Sequence, residues 1–161
     1  MKARLLGGML LLASCKDISS YSTAPDESYC GSVVQGPFVR AGLSPSVQMR
    51  LTFDAEALDR SPGKVSTSDG LLKEAPLQVV PQIFHDPLST LEFGEGRRRN
   101  LIYSALPANG GSAVVVILSL MESGDAEVRL LRAAPAEQGG GGDEAIFGVF
   151  PLKKRRGTCG L

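Results

Sequence analysis

The chain has no tryptophan, one histidine and three cysteines in 161 residues, and its basic and acidic side chains balance at 17 each. Each shortage argues against a class of activity. A dedicated nucleic-acid binder carries a strongly basic domain, which a net charge of zero does not supply. With His85 alone and no closely spaced cysteine pair, zinc has too few ligands to recruit. Asp125 with Glu127, and Asp143 with Glu144, are carboxylate neighbours that lack the spacing of a calcium loop. The glycine run 139–142 is followed by Asp143 and Glu144, not by the Lys-Ser/Thr ending of a phosphate-binding loop. We therefore expect no metal and no cofactor. Aromatic residues make up only 6% of the chain, too few for a carbohydrate-stacking surface, which rests on aromatic faces. No apolar run approaches the roughly 20 residues of a membrane-spanning helix, and no internal repeat stands out.

The amino terminus has the three parts of a secretory signal. Lys2 and Arg4 supply positive charge, Leu5 to Leu12 form a short apolar stretch, and Ala13 and Ser14 are small. A stretch of that length rises only about 12 Å as a helix, against a hydrocarbon core of ~30 Å. The run Leu12-Ala13-Ser14-Cys15 resembles the lipobox of bacterial lipoproteins, an aliphatic residue and two small ones ahead of a cysteine. The resemblance covers residues 1–15. It implies cleavage before Cys15, diacylglycerol on its thiol, and usually a further acyl chain such as palmitate on the new amino terminus. Two or three acyl chains, at about 0.8 kcal/mol per buried CH₂, make release negligible. Lys16, where inner-membrane lipoproteins of enteric bacteria carry aspartate, points to the outer membrane. The mature chain would keep 15 basic and 17 acidic residues, a net charge of −2, because Lys2 and Arg4 leave with residues 1–14.

Assigning Cys15 to lipid leaves Cys30 and Cys159 as a pair, and export places them where thiols are normally oxidised. We expect a disulfide between them, the alternative being two unrelated buried thiols. Residues 16–28 are polar, Ser-rich and without period, so a flexible tether is expected there, with one folded domain over residues 29–161.

Strand signals dominate that domain. Met49, Leu51 and Phe53 alternate with Gln48, Arg50 and Thr52, as in a half-buried strand. A Pro62-Gly63 turn precedes a β-favouring run at 64–68. Residues 77–84 and 88–93 look extended, although Pro81 and Pro87 confine them to edges or bends. A strand over 99–106 is followed by the run 113–120, apolar but for Ser119, which suits a strand covered on both faces. Glu122-Ser123-Gly124-Asp125 reads as a hairpin turn into 127–132, and a last strand spans 146–152. Asp54 to Leu58 allow one helical turn. The expected fold is all-β, a small antiparallel sandwich or barrel of about seven to nine strands.

Two features invite a chemical reading. His85-Asp86-Pro87-Leu88-Ser89 gathers a base, an acid and a nucleophile, but triads assemble through the fold and no G-x-S-x-G elbow surrounds Ser89. A Pro-bounded turn is the better reading. The basic runs Arg97-Arg98-Arg99 and Lys153-Lys154-Arg155-Arg156 suit phosphates of lipid headgroups or lipopolysaccharide, or an acidic partner. Cations at strand ends also discourage aggregation without any ligand. The chain has the general look of envelope lipoproteins of GC-rich Gram-negative bacteria, a resemblance that implies no activity. The expected role is non-enzymatic, in binding or structure, with the membrane and an envelope protein as partners. A small-molecule carrier with a cavity lined by Met49, Leu51, Phe53 and Val115 is the alternative, and a hydrolase the remotest one.

Overall fold

The computed structural model describes residues 17–34, 43–80, 96–132, 145–157 and 159–161. Nine antiparallel strands form one sheet: β1 (Glu27–Ser32), β2 (Gln48–Phe53), β3 (Gly63–Thr67), β4 (Ala75–Pro76), β5 (Gln78–Val79), β6 (Arg97–Ala105), β7 (Val114–Met121), β8 (Ala126–Arg132) and β9 (Ala145–Arg156). Their hydrogen-bonded order is β4-β3-β2-β1-β9-β8-β7-β6-β5. Apart from the seam of β1 against β9, each paired strand lies beside its neighbour in sequence. The two ends of the sheet, β4 and β5, are separated on the chain by Leu77 alone. The Leu77 N–H extends the β3 ladder by donating to the Gly63 carbonyl at 2.9 Å. The segment 75–79 is thus one bent strand, paired with β3 over its first half and with β6 over its second. Counted this way the nine segments make eight strands, an even number, as an antiparallel up-and-down barrel requires. The sheet is nearly closed, so the all-β expectation takes the form of a barrel and not a sandwich.

Alternation decides which side chains fill it. Met49, Leu51 and Phe53 point inward from β2, Val116, Leu118 and Leu120 from β7, Val128 and Leu130 from β8, and Phe150 and Leu152 from β9, all at most 2% exposed. The outer side of β6 to β8 is also covered: Ile102, Ile117 and Leu131 are buried outside that cluster. This explains why the sequence of β7 is apolar but for Ser119. Its hairpin to β8 turns at Gly124, whose φ of 94° suits glycine. Gly124 N donates to Met121 O at 2.9 Å, and Met121 N to Asp125 O at 3.0 Å.

The barrel has a basal end, where β1, β3, β6 and β8 begin and β2, β7 and β9 finish. A 3₁₀ turn, Ile18–Tyr21, packs there. The Tyr21 ring is buried, and its hydroxyl donates to the Met121 carbonyl at 2.6 Å. The buried Tyr29 hydroxyl donates to the Tyr21 carbonyl at 2.9 Å. Thr23 N then bonds Phe53 O at 2.8 Å. These contacts revise the expected domain boundary: residues 18–28 belong to the barrel, and packing starts near Ile18, not near Tyr29. Two aromatic rings outweigh the polar composition around them, because each buries far more apolar surface than its Ser neighbours expose.

Other sequence expectations fall into place. The turn after β2 is the 3₁₀ segment Ala55–Ala57, capped by Asp54, whose carboxylate accepts from Glu56 N at 2.9 Å. The final strand runs four residues beyond its expected end at Leu152 and takes the second basic run into the sheet. Residues 81–84, the segment 88–93, His85 to Ser89 and the glycine run 139–142 lie outside the described residues.

Candidate functional site: the basic end and its disulfide cleft

The first and last strands meet along the β1–β9 seam, with Tyr29 opposite Lys154 and Cys30 opposite Lys153. Because alternate side chains face opposite ways, Tyr29 and Lys154 point inward while Cys30 and Lys153 point outward. On the outer face Cys30 is joined to Cys159, with a Cα separation of 5.6 Å. The expected cysteine pair is therefore formed, and it ties the first strand to the tail that follows the last. Ser28 is buried beside it: its hydroxyl donates to the Gly157 carbonyl at 3.1 Å and lies 3.5 Å from the Cys159 sulfur. Gly31 lets the strands approach, since a Cβ there would stand 1.9 Å from the Pro151 carbonyl oxygen.

An open cleft of about 630 Å³ runs over this region of β2, β1 and β9. The disulfide, Ser32, Gln48 and Pro151 line it, with Lys153, Arg155 and Arg156 as its charged residues and no carboxylate among them. None of the three cations forms an ion pair among the described residues. Glu27 lies opposite Arg156 in the ladder, but its carboxylate accepts from Ala24 N at 3.2 Å.

Lys154 has a different task. Its ammonium donates to the Ser20 carbonyl at 2.9 Å and the Ser22 carbonyl at 2.7 Å, and lies 5.5 Å from the centre of the Tyr29 ring. It fastens the 3₁₀ turn to the barrel. Burial, reinforced by the negative charges of Asp125 and Glu27, holds the Tyr29 phenol far above its ordinary value, so it remains a neutral donor.

The other basic run reaches the same end by another strand. Arg97 pairs with Met121 at the foot of β6, and Ala126, across the hairpin, pairs with Leu152, immediately before Lys153. Arg98 and Arg99 are exposed there. Arg97 is largely enclosed on the barrel's flank, where it bonds Glu127 at 2.8 Å; Arg129 meets the same carboxylate oxygen at 2.5 Å. Burial, with Arg97 nearby, lowers the Arg129 guanidinium from its ordinary value, and Glu127 opposes the shift. Asn100 and Ser119 extend this polar patch, the serine hydroxyl donating to the amide oxygen at 2.8 Å. The fold thus brings the two basic runs to one end of the barrel, with β7 and β8 between them. It commits Arg97 and Lys154 to internal contacts and leaves Arg98, Arg99, Lys153, Arg155 and Arg156 facing solvent. The roles of Arg97 and Lys154 escape sequence reasoning, because Glu127 and the Ser20 carbonyl are distant along the chain.

No protein-family model matches the chain, and no curated protein or solved structure is significantly similar to it. The chemistry of the basic end is therefore read from its own residues. Arginine and lysine without counter-carboxylates favour phosphate and carboxylate oxygens. Among the described residues no group of three or more His, Cys, Asp or Glu is placed to hold a metal.

Proposed function

We propose that this chain is a lipid-anchored protein of the bacterial cell envelope that acts by binding, holding a nearly closed β barrel close against a membrane surface. One observation carries the reading. The lipobox cysteine, Cys15, precedes by three residues the 3₁₀ turn that shuts the basal end, and both basic runs converge on that end. Three extended peptide units span at most about 11 Å, so lipid on Cys15 would draw the basal end down to the headgroups. In the oxidising envelope the Cys30–Cys159 bridge is stable.

A carrier role is less favoured. Of the side chains that would line its cavity, Met49 and Leu51 have no exposed surface and Phe53 has 2%, whereas the lining of a ~300 Å³ cavity would retain some. Val115, also expected in that lining, faces outward from β7, between the inward-pointing Val114 and Val116.

Fractionation of cells producing the wild type and Cys15→Ala tests the proposal. The wild type should stay in the membrane pellet through a high-salt wash, and the variant should be released or accumulate uncleaved. Release of the wild type by salt alone, or a variant that is cleaved and pelleted as the wild type is, would refute the anchor.

A further inference from the structure

We infer that the barrel docks end-on, with the basal part of the disulfide cleft receiving phosphates of anionic lipid headgroups on Lys153, Arg155 and Arg156. This orientation rests on the anchored reading above and adds to it a defined contact surface. Three observations on different elements converge. Lys154, in the midst of the basic run, holds the carbonyls of Ser20 and Ser22, so the run sits against the segment that leads directly to Cys15. The neighbouring cations on either side of Lys154 project outward into a cleft that contains no carboxylate. Arg98 and Arg99 reach the same end from β6 and are likewise exposed, across the β7–β8 hairpin that carries Glu122 and Asp125.

The opposite end is differently built. Its β3–β4 turn places Glu74 against Arg50 and Ser66, so that pair is neutralised within the protein. A mature net charge of −2 would repel an anionic surface if spread evenly. A basic cleft free of carboxylates on a slightly acidic protein therefore sets an orientation that net charge alone would not, although the same end carries Glu27, Glu122 and Asp125 outside the cleft. Arginine and lysine near such a surface each strengthen binding roughly five-fold at ordinary salt.

The contact is tested with the full chain carrying Cys15→Ala, so that no lipid contributes, by sedimentation on phosphatidylcholine vesicles with and without phosphatidylglycerol. The apolar leader adheres to both vesicle types, so the readout is the ratio of the two partition coefficients. Arg155→Gln should lower that ratio about five-fold, and the combined Lys153→Gln, Arg155→Gln, Arg156→Gln variant on the order of a hundred-fold. Lys73→Gln, an exposed cation at the opposite end, should change it less than about two-fold. Matching circular dichroism melts would show that all the variants are folded; if the triple variant is not, the comparison of Arg155→Gln with Lys73→Gln decides alone. Equal effects of those two substitutions, or no preference for the anionic vesicles, would overturn the docking surface. An acidic protein as the true partner would give that second result. Since Cys15→Ala is present throughout, failure here leaves the lipid anchor standing, and failure of the anchor leaves this measurement intact.

Discussion

Removing the bridge with Cys30→Ala and Cys159→Ala should cost about 5 kcal/mol of stability, because it frees a long loop in the unfolded chain. The two residues are 129 apart in sequence. Restoring loop-closure entropy for that span gives roughly 17 cal/mol/K, or about 5 kcal/mol at room temperature. In a domain of this size each kcal/mol moves the melting temperature by about 2–4 °C, so a drop of roughly 10–20 °C is expected. The location of the bridge adds a kinetic expectation. It links β1 to the tail after β9, the two strands whose pairing spans nearly the whole chain, and pairings of such long range are the slow part of forming a barrel. Oxidised protein should therefore refold faster than the reduced or double-Ala form, in addition to being more stable. Urea unfolding followed by circular dichroism gives the equilibrium value, and stopped-flow refolding the rate. A stability loss below about 1 kcal/mol, with refolding unchanged, would refute both the entropic reasoning and the role of the bridge in closing the seam.

Gly31→Ala should lose about 1–3 kcal/mol in thermal melts, since the new methyl carbon meets the backbone oxygen of Pro151, which cannot move aside as a side chain would. Tyr29→Phe removes a buried donor from the Tyr21 carbonyl and should cost about 1–2 kcal/mol, accompanied by faster amide exchange in residues 18–22. Glu74 gives a dependence on pH. Burial alone would raise its pKa, but hydrogen bonds from Arg50 and Ser66 and the charges of Arg50 and Lys64 outweigh that and hold it below the ordinary value. A lowered carboxyl contributes stability above its unfolded pKa and loses it as pH falls through the folded one. Glu74→Gln should therefore be destabilised by at most about 1 kcal/mol at neutral pH, as for a partly exposed pair. The gap should close under acid conditions, and a gap that widened there would contradict the assignment. Tyr103, pushed up to about 12 by burial against the opposing charge of Arg99, should show no phenolate absorbance at pH 10 while the barrel is folded.

The strands legible in the sequence are those whose register is written in local alternation. Met49, Leu51 and Phe53 mark one face of β2, and the run of β7, apolar but for Ser119, signals cover on both sides. The β1 strand, Glu-Ser-Tyr-Cys-Gly-Ser, has no such period; its place is set by pairing with β2 and β9 and by the burial of Tyr29. The bend at Leu77 was equally hidden, since it has meaning only when β3 and β6 stand on either side of it. At the basal end the basic residues could be picked out by type. Their division into structural and solvent-facing members could not, because it depends on partners more than 100 positions away for Lys154 and on Glu127, two strands across, for Arg97. The pairing of Cys30 with Cys159 is accessible from sequence only if Cys15 is assigned to lipid.

That assignment of Cys15 underlies the proposed membrane anchor, the proposed orientation of the basal end and the proposed use of the basic cleft. Intact-mass spectrometry of the native protein extracted from membranes tests it most directly. The expected species begins at Cys15 and exceeds the mass of residues 15–161, less the two hydrogens of the bridge, by a diacylglyceryl group and an amide-linked acyl chain. A mature species that begins elsewhere, or one in which Cys15 carries no lipid, would contradict the account.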